Sequence, residues 1–312
     1  MAKRTRRTAP IVARIGVIGG SGLYDIPGAR VLAELRPRTA WGSPSDAITV
    51  VEIGGTPVAF LPRHGRGHRL LPGEVNGRAN IAALKQVGVE QVIAFSAVGS
   101  LKESLAPLDF AVPAQVIDRT RHRPDTFFGA GVVGHVAFAD PFCPRLAAQA
   151  LAVIRAAGLP GGHGGETLVC MEGPLFSTRA ESHLYRSFGA GLINMSALPE
   201  AKLAREAELC YALVCMVTDY DCWREGESDV DIQMVIANLT ANAQRARDLL
   251  PALLPAVGAQ ARACRCGEAS RFAVITAPEL QPAATRKRLA TLLPQYFAPL
   301  SRQPRSGGRR RR

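Results

Sequence analysis

Short apolar runs alternate along the chain with longer Ala- and Leu-rich periodic segments, a pattern that predicts alternating strands and helices. The apolar runs predict strands near residues 14–19, 47–61, 91–97, 109–117, 166–171, 191–194 and 210–218. The periodic segments predict helices near residues 76–87, 144–157, 178–188, 199–207, 231–257 and 279–295. This order favours an α/β fold with a mixed, largely parallel central sheet flanked by helices.

Two acidic residues follow the apolar run from Tyr211 to Val217, which predicts a buried parallel strand. They are Asp219 and Asp221, two positions apart. In open α/β sheets, ligands bind outside the carboxyl ends of the strands. A carboxylate placed there can accept an N–H from a ligand, or donate a proton if its pKa is raised. Taken alone, the spacing also fits a solvated turn after a strand.

Two loops offer hydrogen-bond donors to an anion. The first strand opens into residues 19–22, Gly-Gly-Ser-Gly, where backbone N–H groups and a hydroxyl can approach an anion closely. This loop has neither the ending of a P-loop nor the spacing of a dinucleotide-binding fingerprint. Residues 63–68, Arg-His-Gly-Arg-Gly-His, follow another apolar run, and an Arg fork can bind an oxyanion. The structural alternatives are a tight turn and a solvated basic loop.

Three further predicted strand ends carry small or polar residues. They lie in residues 92–100, 172–177 and 193–200, and their hydroxyl groups belong to Ser96, Ser100, Ser177 and Ser196. Each of them alone also fits an ordinary transition from strand to loop. Together with the two loops and the acidic pair, they outline one pocket with anion donors on one side and carboxylates on the other.

In this order, the segments resemble the trimeric purine nucleoside phosphorylase family, and within it the branch that acts on 5'-methylthioadenosine. The resemblance runs from about residue 14 to 260 and implies a nucleoside phosphorylase-like fold. It is carried by residues 15–23, 63–68, 75–84, 99–101, 117–124, 140–144, 171–182, 193–200 and 218–223. The C-terminal part, with Cys264 and Cys266, is similar to a Cys-x-Cys branch of the family known from thermophiles.

The resemblance implies a phosphate site around the glycine loop and the neighbouring strand ends. Orthophosphate is the co-substrate, and neither a cofactor nor a metal is implied. Ser196 lies at the boundary between phosphate and ribose. The phosphate-binding residues are Ser21, Arg63, His64, Ser96, the backbone of Ala97, and Ser196.

The resemblance also implies positions for the nucleoside. Asp219 faces purine N7, Asp221 faces the 6-amino group, and both act with Ser196 as catalytic residues. Phe176 and Ser177 lie near the base. The other contacts are Met195 under the ribose, His135 from an adjacent subunit, and a 5'-substituent pocket formed by His68, Ile232, Val235 and Ile236.

These residues predict phosphorolysis of 5'-methylthioadenosine to adenine and 5-methylthioribose 1-phosphate, through a ribooxocarbenium-like transition state. An ionised Asp221 facing a 6-oxo group would place two hydrogen-bond acceptors against each other. Leaving a buried polar group without a partner costs ~1–3 kcal/mol. The acidic pair therefore favours 6-aminopurines. The alternatives are a methylthioinosine or broad purine nucleoside phosphorylase, a relative that binds nucleoside but turns over poorly, and a non-catalytic nucleic-acid-associated protein acting through basic tails.

Two positions depart from the family pattern. Leu175 stands where the family commonly has Arg, and Gly77 stands where an aromatic residue is common. The loss of the Arg is expected to alter an ion pair or a subunit contact, with an effect on substrate affinity.

Composition predicts a cytoplasmic enzyme with no membrane partner. No apolar run approaches the ~18 residues of a membrane span, and no apolar signal-peptide segment follows the basic N-terminal residues. Seven Cys in such a chain are expected to be mostly reduced and buried. Cys264 and Cys266 form either a strained disulfide, a redox pair or two unlinked thiols. No Cys/His set has the spacing of a zinc site.

The net charge of +12 lies mostly in two tails, with four Lys or Arg in residues 1–7 and six Arg in residues 301–312. Without interleaved aromatic residues, the tails predict solvation rather than specific nucleic-acid binding. The predicted organisation is a basic tail (1–13), a phosphorylase domain (14–260), a Cys-x-Cys extension (261–298) and a basic disordered tail (299–312). The resemblance further implies a homo-oligomer, a trimer or, in the Cys-x-Cys branch, a hexamer.

Overall fold

The computed structural model describes residues 12–20, 23, 29–224 and 232–297. Its strands are β1 (Ile15–Gly19), β2 (Arg30–Leu35), β3 (Ile48–Ile53), β4 (Thr56–Pro62), β5 (Gln91–Ser100), β6 (Phe110–Val112), β7 (Gln115–Arg119), β8 (Gly161–Gly164), β9 (Thr167–Met171), β10 (Leu192–Asn194) and β11 (Cys210–Asp219). Its helices are α1 (Gly77–Gln86), α2 (Pro144–Ala156), α3 (Arg179–Ser187), α4 (Ala197–Glu206), α5 (Ile232–Ala259), α6 (Ala283–Ala290) and α7 (Pro294–Phe297). The predicted tail at 299–312 and most of the one at 1–13 lie outside the described residues.

All strands of the described chain belong to one sheet that branches at β5. The path runs β2-β3-β4-β1-β5-β10-β9-β7. On a second branch, β11 pairs with β5 and β6, and β8 pairs with β6. β5 pairs in parallel with β1 and β11, whereas its last residues, Gly99 and Ser100, pair antiparallel with β10. The four antiparallel pairings are fewer than the six parallel ones, which confirms the predicted mixed, largely parallel sheet.

Burial on both faces explains why β11 is apolar from Cys210 to Val217. Its residues alternate between two hydrophobic clusters, as the two-residue period of a strand requires. Tyr211, Leu213, Cys215 and Val217 pack with helices α1 and α4, whereas Ala212, Val214 and Met216 pack with α2 and α5. Both faces of this strand are therefore covered, which is typical of a parallel strand at the centre of an α/β sheet.

Several predicted element bounds are wrong. The strand predicted at 47–61 is the hairpin of β3 and β4, turned by Gly54 and Gly55 at φ of 55° and 76°. The strand predicted at 109–117 is divided into β6 and β7 around Pro113, and the helix predicted at 279–295 is divided into α6 and α7 before Pro294. β2, which is largely exposed, and β8, Gly-Gly-His-Gly, were not predicted because neither is an apolar run.

The C-terminal segment after α5 packs onto the body of the protein. Leu289, Leu293 and Phe297 belong to the same hydrophobic cluster as α1 and α4. Glu208 accepts hydrogen bonds from the Tyr296 hydroxyl at 2.7 Å, the Gln295 amide at 2.7 Å and the Ser270 backbone at 3.1 Å. Among the helices described here, α5 included, none has the length and apolarity needed to cross a membrane.

A buried ion pair ties four elements together. The Nε of Arg63 donates to Oε1 of Glu200 at 2.6 Å, and Nη2 donates to Oε2 at 3.1 Å. Arg63 follows β4 and also donates to the Phe95 carbonyl of β5, while Tyr211 of β11 donates to Glu200 of α4 at 3.0 Å. The two charged side chains are only 3% and 1% exposed. Removing one partner would take the counter-charge of this pair away from the other buried charge.

We expect Glu200→Gln to lower the free energy of unfolding by about 3–5 kcal/mol, because Arg63 would keep its charge and lose its carboxylate. Urea denaturation followed by circular dichroism measures the change. Glu34→Gln is the matched control, since Glu34 pairs with Arg66 on the surface at 3.3 Å. Equal denaturation midpoints for the two variants would contradict a stabilising role for the buried pair.

Candidate active site

The two carboxylates predicted from the sequence meet at the end of β11. Asp219 is 7% exposed, and a shift in the strand register just before it turns it towards Gly99 of β5. Its Oδ2 accepts from the Thr218 hydroxyl at 2.7 Å, and its Oδ1 accepts from the Asp221 backbone N–H at 2.8 Å. A Cβ on Gly99 would come within 3.0 Å of Oδ1, so the glycine keeps space open beside the carboxylate.

Asp221 carries a buried oxygen with unused hydrogen-bonding capacity. Among the described residues, its Oδ2 has no hydrogen-bond partner and is shielded from solvent. Burial raises the pKa of Asp221, and the charge of Asp219 raises it further. The nearby Ser182 and Ser177 hydroxyls act in the opposite direction and lower this pKa. Burial also raises the pKa of Asp219, against the hydrogen bonds from Thr218 and Asp221. The pair can therefore hold a proton more readily than exposed carboxylates.

Helix α5 is hydrogen-bonded to β11, the strand that leads to the two carboxylates. The Asn238 side chain donates to the Thr218 carbonyl at 2.7 Å, and Asn242 donates to the Val217 carbonyl at 2.8 Å. These two asparagines are one helical turn apart and face the same side. They bring the first turns of α5, where the predicted residues Val235 and Ile236 are half-buried and exposed respectively, to the same end of β11.

Ser96 and Ser196 come together although 100 residues separate them, with their hydroxyl oxygens 3.0 Å apart. The Asn194 side chain donates to the Ser96 hydroxyl at 3.0 Å, and Ser96 donates to the carbonyl of the adjacent Ala97 at 2.9 Å. Ser196 precedes α4 as its N-cap, yet its hydroxyl makes no capping bond. Serines at this position usually bond the first helical turn, so here the hydroxyl is directed to Ser96 instead.

His64 and His68 stack beside Arg63, with ring centroids 4.4 Å apart. The Nδ1 atom of His64 lies 2.8 Å from the Leu70 carbonyl, which only accepts, so Nδ1 carries the hydrogen. Burial, aided by the charge of Arg63, lowers the pKa of His64 to about 4. At neutral pH its Nε2 is therefore an unprotonated acceptor.

Arg123 fixes the loops that lead away from β9 and β10. It donates to the Glu172 carboxylate at 2.9 Å and to the Met195 and Leu198 carbonyls at 2.7 and 2.8 Å. The predicted ribose contact, Met195, packs its sulfur where a Cβ on Gly173 would stand, and Gly173 also has a φ of 72°. A larger residue at this glycine would displace Met195.

The predicted base contacts differ in their exposure. Phe176 is 51% exposed and Leu175 is 81% exposed, so the apolar residue that replaces the family Arg faces solvent in this chain. Ser177 is half-buried and its carbonyl accepts from the Cys222 thiol at 3.3 Å, next to Asp221. Gly77 packs closely, because a Cβ there would come within 3.1 Å of Leu203 and Pro199.

One described site residue, His135, is not brought to the pocket within this chain, and two others cannot be placed. His135 is exposed, and its backbone N–H donates to the Ala273 carbonyl of the C-terminal segment at 2.9 Å. Ser21 and the side chain of Ile232 lie outside the described residues. The roles given to all of the predicted site residues remain predictions.

Several residues that hold the site were not predicted from the sequence. The sequence contains a signal for three of them. Glu200 is an acid among apolar neighbours in the segment Ala-Leu-Pro-Glu-Ala, and Asn238 and Asn242 are spaced to lie on one face of a helix. Arg123 and Asn194 gave none, since their partners are far apart in sequence.

None of the seven cysteines forms a disulfide, so Cys264 and Cys266 are not linked to each other. Within the described residues, one group of at least three potential metal ligands lies close together. It is formed by Cys143, Cys210, Cys264 and Cys266, at the opposite end of β11 from Asp219.

Comparison with known proteins identifies close relatives over nearly the whole chain. A protein from Koribacter versatilis named S-methyl-5'-thioadenosine phosphorylase is 50% identical over 285 residues, covering 91% of this chain and 97% of that protein. A protein of the same name from Geobacter sulfurreducens is 48% identical over 283 residues, covering 90% and 98% respectively.

Solved structures agree. A methylthioadenosine phosphorylase from an antarctic soil metagenomic library superposes with a TM-score of 0.85 at 45% identity, covering 91% of this chain and 99% of that one. A variant of adenosine/methylthioadenosine phosphorylase from Schistosoma mansoni, in complex with methylthioadenosine, gives 0.77 at 33% identity and covers 83% and 96%. The family model of the phosphorylase superfamily matches residues 14–255. The resemblance seen in the sequence is confirmed, and the chain belongs to the phosphorylase superfamily.

Proposed function

We propose that this protein cleaves 5'-methylthioadenosine with orthophosphate, giving adenine and 5-methylthioribose 1-phosphate. The observation that carries the proposal is the buried Oδ2 of Asp221, an acceptor without a partner among the described residues. A buried acceptor of this kind is satisfied by a ligand N–H, which the 6-amino group of adenine supplies. The names of the relatives, and the methylthioadenosine held by one of the solved structures, support the same substrate.

Asp219 completes the recognition of the base in this proposal. Its raised pKa allows it to carry a proton towards N7 of the purine. The leaving adenine then departs as a neutral molecule rather than as an anion. Asp221 accepts from the 6-amino group at the same time, so the two carboxyls have different roles although they are two residues apart.

The paired hydroxyls of Ser96 and Ser196 are proposed to bind the phosphate, with Arg63 and His64 nearby. Arg63 is already bonded to Glu200, so we assign it chiefly to holding the strand ends. The bare Nε2 of His64 accepts a hydrogen bond from the protonated oxygen of hydrogen phosphate. The Ala97 backbone and Ser21 belong to the proposed phosphate site, and Ser21 lies outside the described residues.

The spacing along β5 leaves room for the sugar. Ser96 lies three residues before Gly99, which pairs with Asp219. Three residues of extended strand span about 10 Å. The ribose would lie between the hydroxyl pair and the carboxylates, with Met195 beneath it. His68, Ile232, Val235 and Ile236 are proposed to surround the methylthio group, and Phe176 and Ser177 to contact the base.

The reaction is then a single displacement at the anomeric carbon. A phosphate oxygen forms the new bond to C1' as the bond from C1' to N9 breaks, through an oxocarbenium-like transition state. The proton of Asp219 passes to N7. The phosphate anion, which is the co-substrate, stabilises the developing positive charge on the ribose, and no cofactor takes part in this proposal.

We also propose that the protein is a homotrimer in which His135 of one chain reaches the pocket of the next. Exposed apolar side chains support an interface near His135, since Val133, Phe272 and Ile275 are 46%, 86% and 67% exposed. The Ile275 backbone N–H donates to the Val133 carbonyl at 3.0 Å.

A cytoplasmic location is proposed as well, supported by seven cysteines that are all free thiols.

Phosphate-dependent base release from 5'-methylthioadenosine, adenosine and methylthioinosine tests the substrate. We expect kcat/KM to be highest for methylthioadenosine and at least about tenfold lower for methylthioinosine, because its 6-oxo group leaves Asp221 unmatched. Asp221→Asn should narrow that ratio, while Asp248→Asn, the same change on the exposed face of α5, should not. A wild-type preference for methylthioinosine would overturn the proposal.

We expect Asp219→Asn to lower kcat by ~10²–10⁴-fold, the usual size of a general-acid contribution. The pKa of Asp219 is raised, so its protonated, active form is lost as pH increases through that pKa. The alkaline fall in the kcat profile due to this group should therefore disappear in the variant. Full activity of Asp219→Asn would exclude proton donation by this residue.

Light scattering coupled to gel filtration tests the assembly. We expect a mass about three times the 33.2 kDa of one chain. Phe272→Glu should reduce that mass, because it places a charge in the proposed apolar interface. Phe188→Glu, which alters an aromatic side chain 49% exposed at the C-cap of α3, is the control. A monomeric wild-type protein would contradict the trimer.

A further inference from the structure

We propose that Cys143, Cys210, Cys264 and Cys266 form a closed, four-thiolate site for Zn²⁺. The cysteines come from three parts of the chain: the residue before α2, the first residue of β11, and the segment that follows α5. Their four sulfur atoms all lie within 4.8 Å of one another, and those of Cys210 and Cys264 are 3.3 Å apart.

The size of the cluster fits one tetrahedral ion. With Zn–S bonds of ~2.3 Å, the sulfurs of a tetrahedral site lie ~3.8 Å from one another. Cys143, Cys210 and Cys266 are buried, at 1%, 0% and 4% exposure, and Cys264 is half-buried. Four thiolates fill the coordination shell, as in structural zinc sites, and leave no open position for a substrate.

Three arginines surround the sulfurs. Arg262 donates from Nε to the Cys210 sulfur at 3.3 Å, and Arg145 donates to the same atom at 3.8 Å. Arg205 donates to the Cys266 sulfur at 3.8 Å. Four thiolates carry twice the charge that one divalent ion neutralises, and the guanidinium groups offset the remainder. Such outer hydrogen bonds are typical of metal sites.

The proposed ion would join the C-terminal segment to the core. Cys264 and Cys266 lie near the start of that segment, and Cys210 begins the strand that ends in Asp219 nine residues later. Binding would therefore stabilise the fold without contact with the reacting atoms. The zinc site does not depend on the proposed substrate, and either can fail without the other.

Metal analysis of the full-length protein tests the proposal. The protein is produced in zinc-supplemented medium and purified under reducing conditions without chelators. We expect elemental mass spectrometry to find roughly one zinc ion per chain. The zinc should be released when a mercurial reagent blocks the thiols. The absence of zinc, or an intact mass showing disulfides among these four cysteines in the protein as purified, would overturn the proposal.

Substitutions locate the ion. Cys266→Ala should reduce the zinc content at least about tenfold and lower the Tm, because a buried ligand is removed. Cys215→Ala is the matched control, since Cys215 is also fully buried but lies outside the cluster, and it should retain the zinc. Equal zinc content in the two variants would place the ion elsewhere and refute the site.

Cobalt provides a second measurement if Cys266→Ala does not accumulate. Replacement of zinc by Co²⁺ in the wild-type protein should give the intense thiolate-to-cobalt charge-transfer and visible bands of a tetrahedral sulfur site. Cys264→Ala, which alters the half-buried member of the cluster, should weaken these bands. Weak bands typical of six oxygen or nitrogen ligands in the wild-type protein would refute four-sulfur coordination.

Discussion

The Arg63–Glu200 ion pair is the interaction on which the arrangement of the site depends. Glu200 belongs to α4, which starts directly after Ser196, so the position of Glu200 sets that of the serine. Arg63 also holds the β5 carbonyl that precedes Ser96. A buried charge pair is stable only when its geometry is good and its remaining bonds are satisfied. The packing that satisfies this pair therefore also aligns the two hydroxyls.

The carboxylates at the end of β11 follow the opposite logic. Glu200 has all the partners that its burial demands, whereas Asp221 keeps an oxygen with none among the described residues. An unmatched buried acceptor costs ~1–3 kcal/mol in the absence of ligand. That cost is removed when a ligand donates to it. The same chemical group thus stabilises the fold at one position and prepares it for a ligand at the other.

The sequence predicted the elements whose signals are local. β11 and Asp219 were found because a continuous apolar run ends in acids. Helices α1, α2 and α5 were found because their segments are rich in Ala and Leu and periodic. Arg123 escaped because most of its bonds go to backbone carbonyls, which no residue type reveals. The cysteine cluster escaped because its members are dispersed: 54 residues separate Cys210 from Cys264, so no short motif records their meeting. Long-range contacts of this kind become visible only in the folded chain.

Asp221 has a left-handed backbone, with a φ of 52°. Few residues other than Gly, Asn and Asp adopt this conformation without strain. The backbone at this position therefore favours a small set of residue types, whichever ligand binds. Codons for Asp and Asn differ by one base, and the backbone accepts both residues. A single nucleotide change can therefore replace a carboxylate that only accepts hydrogen bonds with an amide that also donates them.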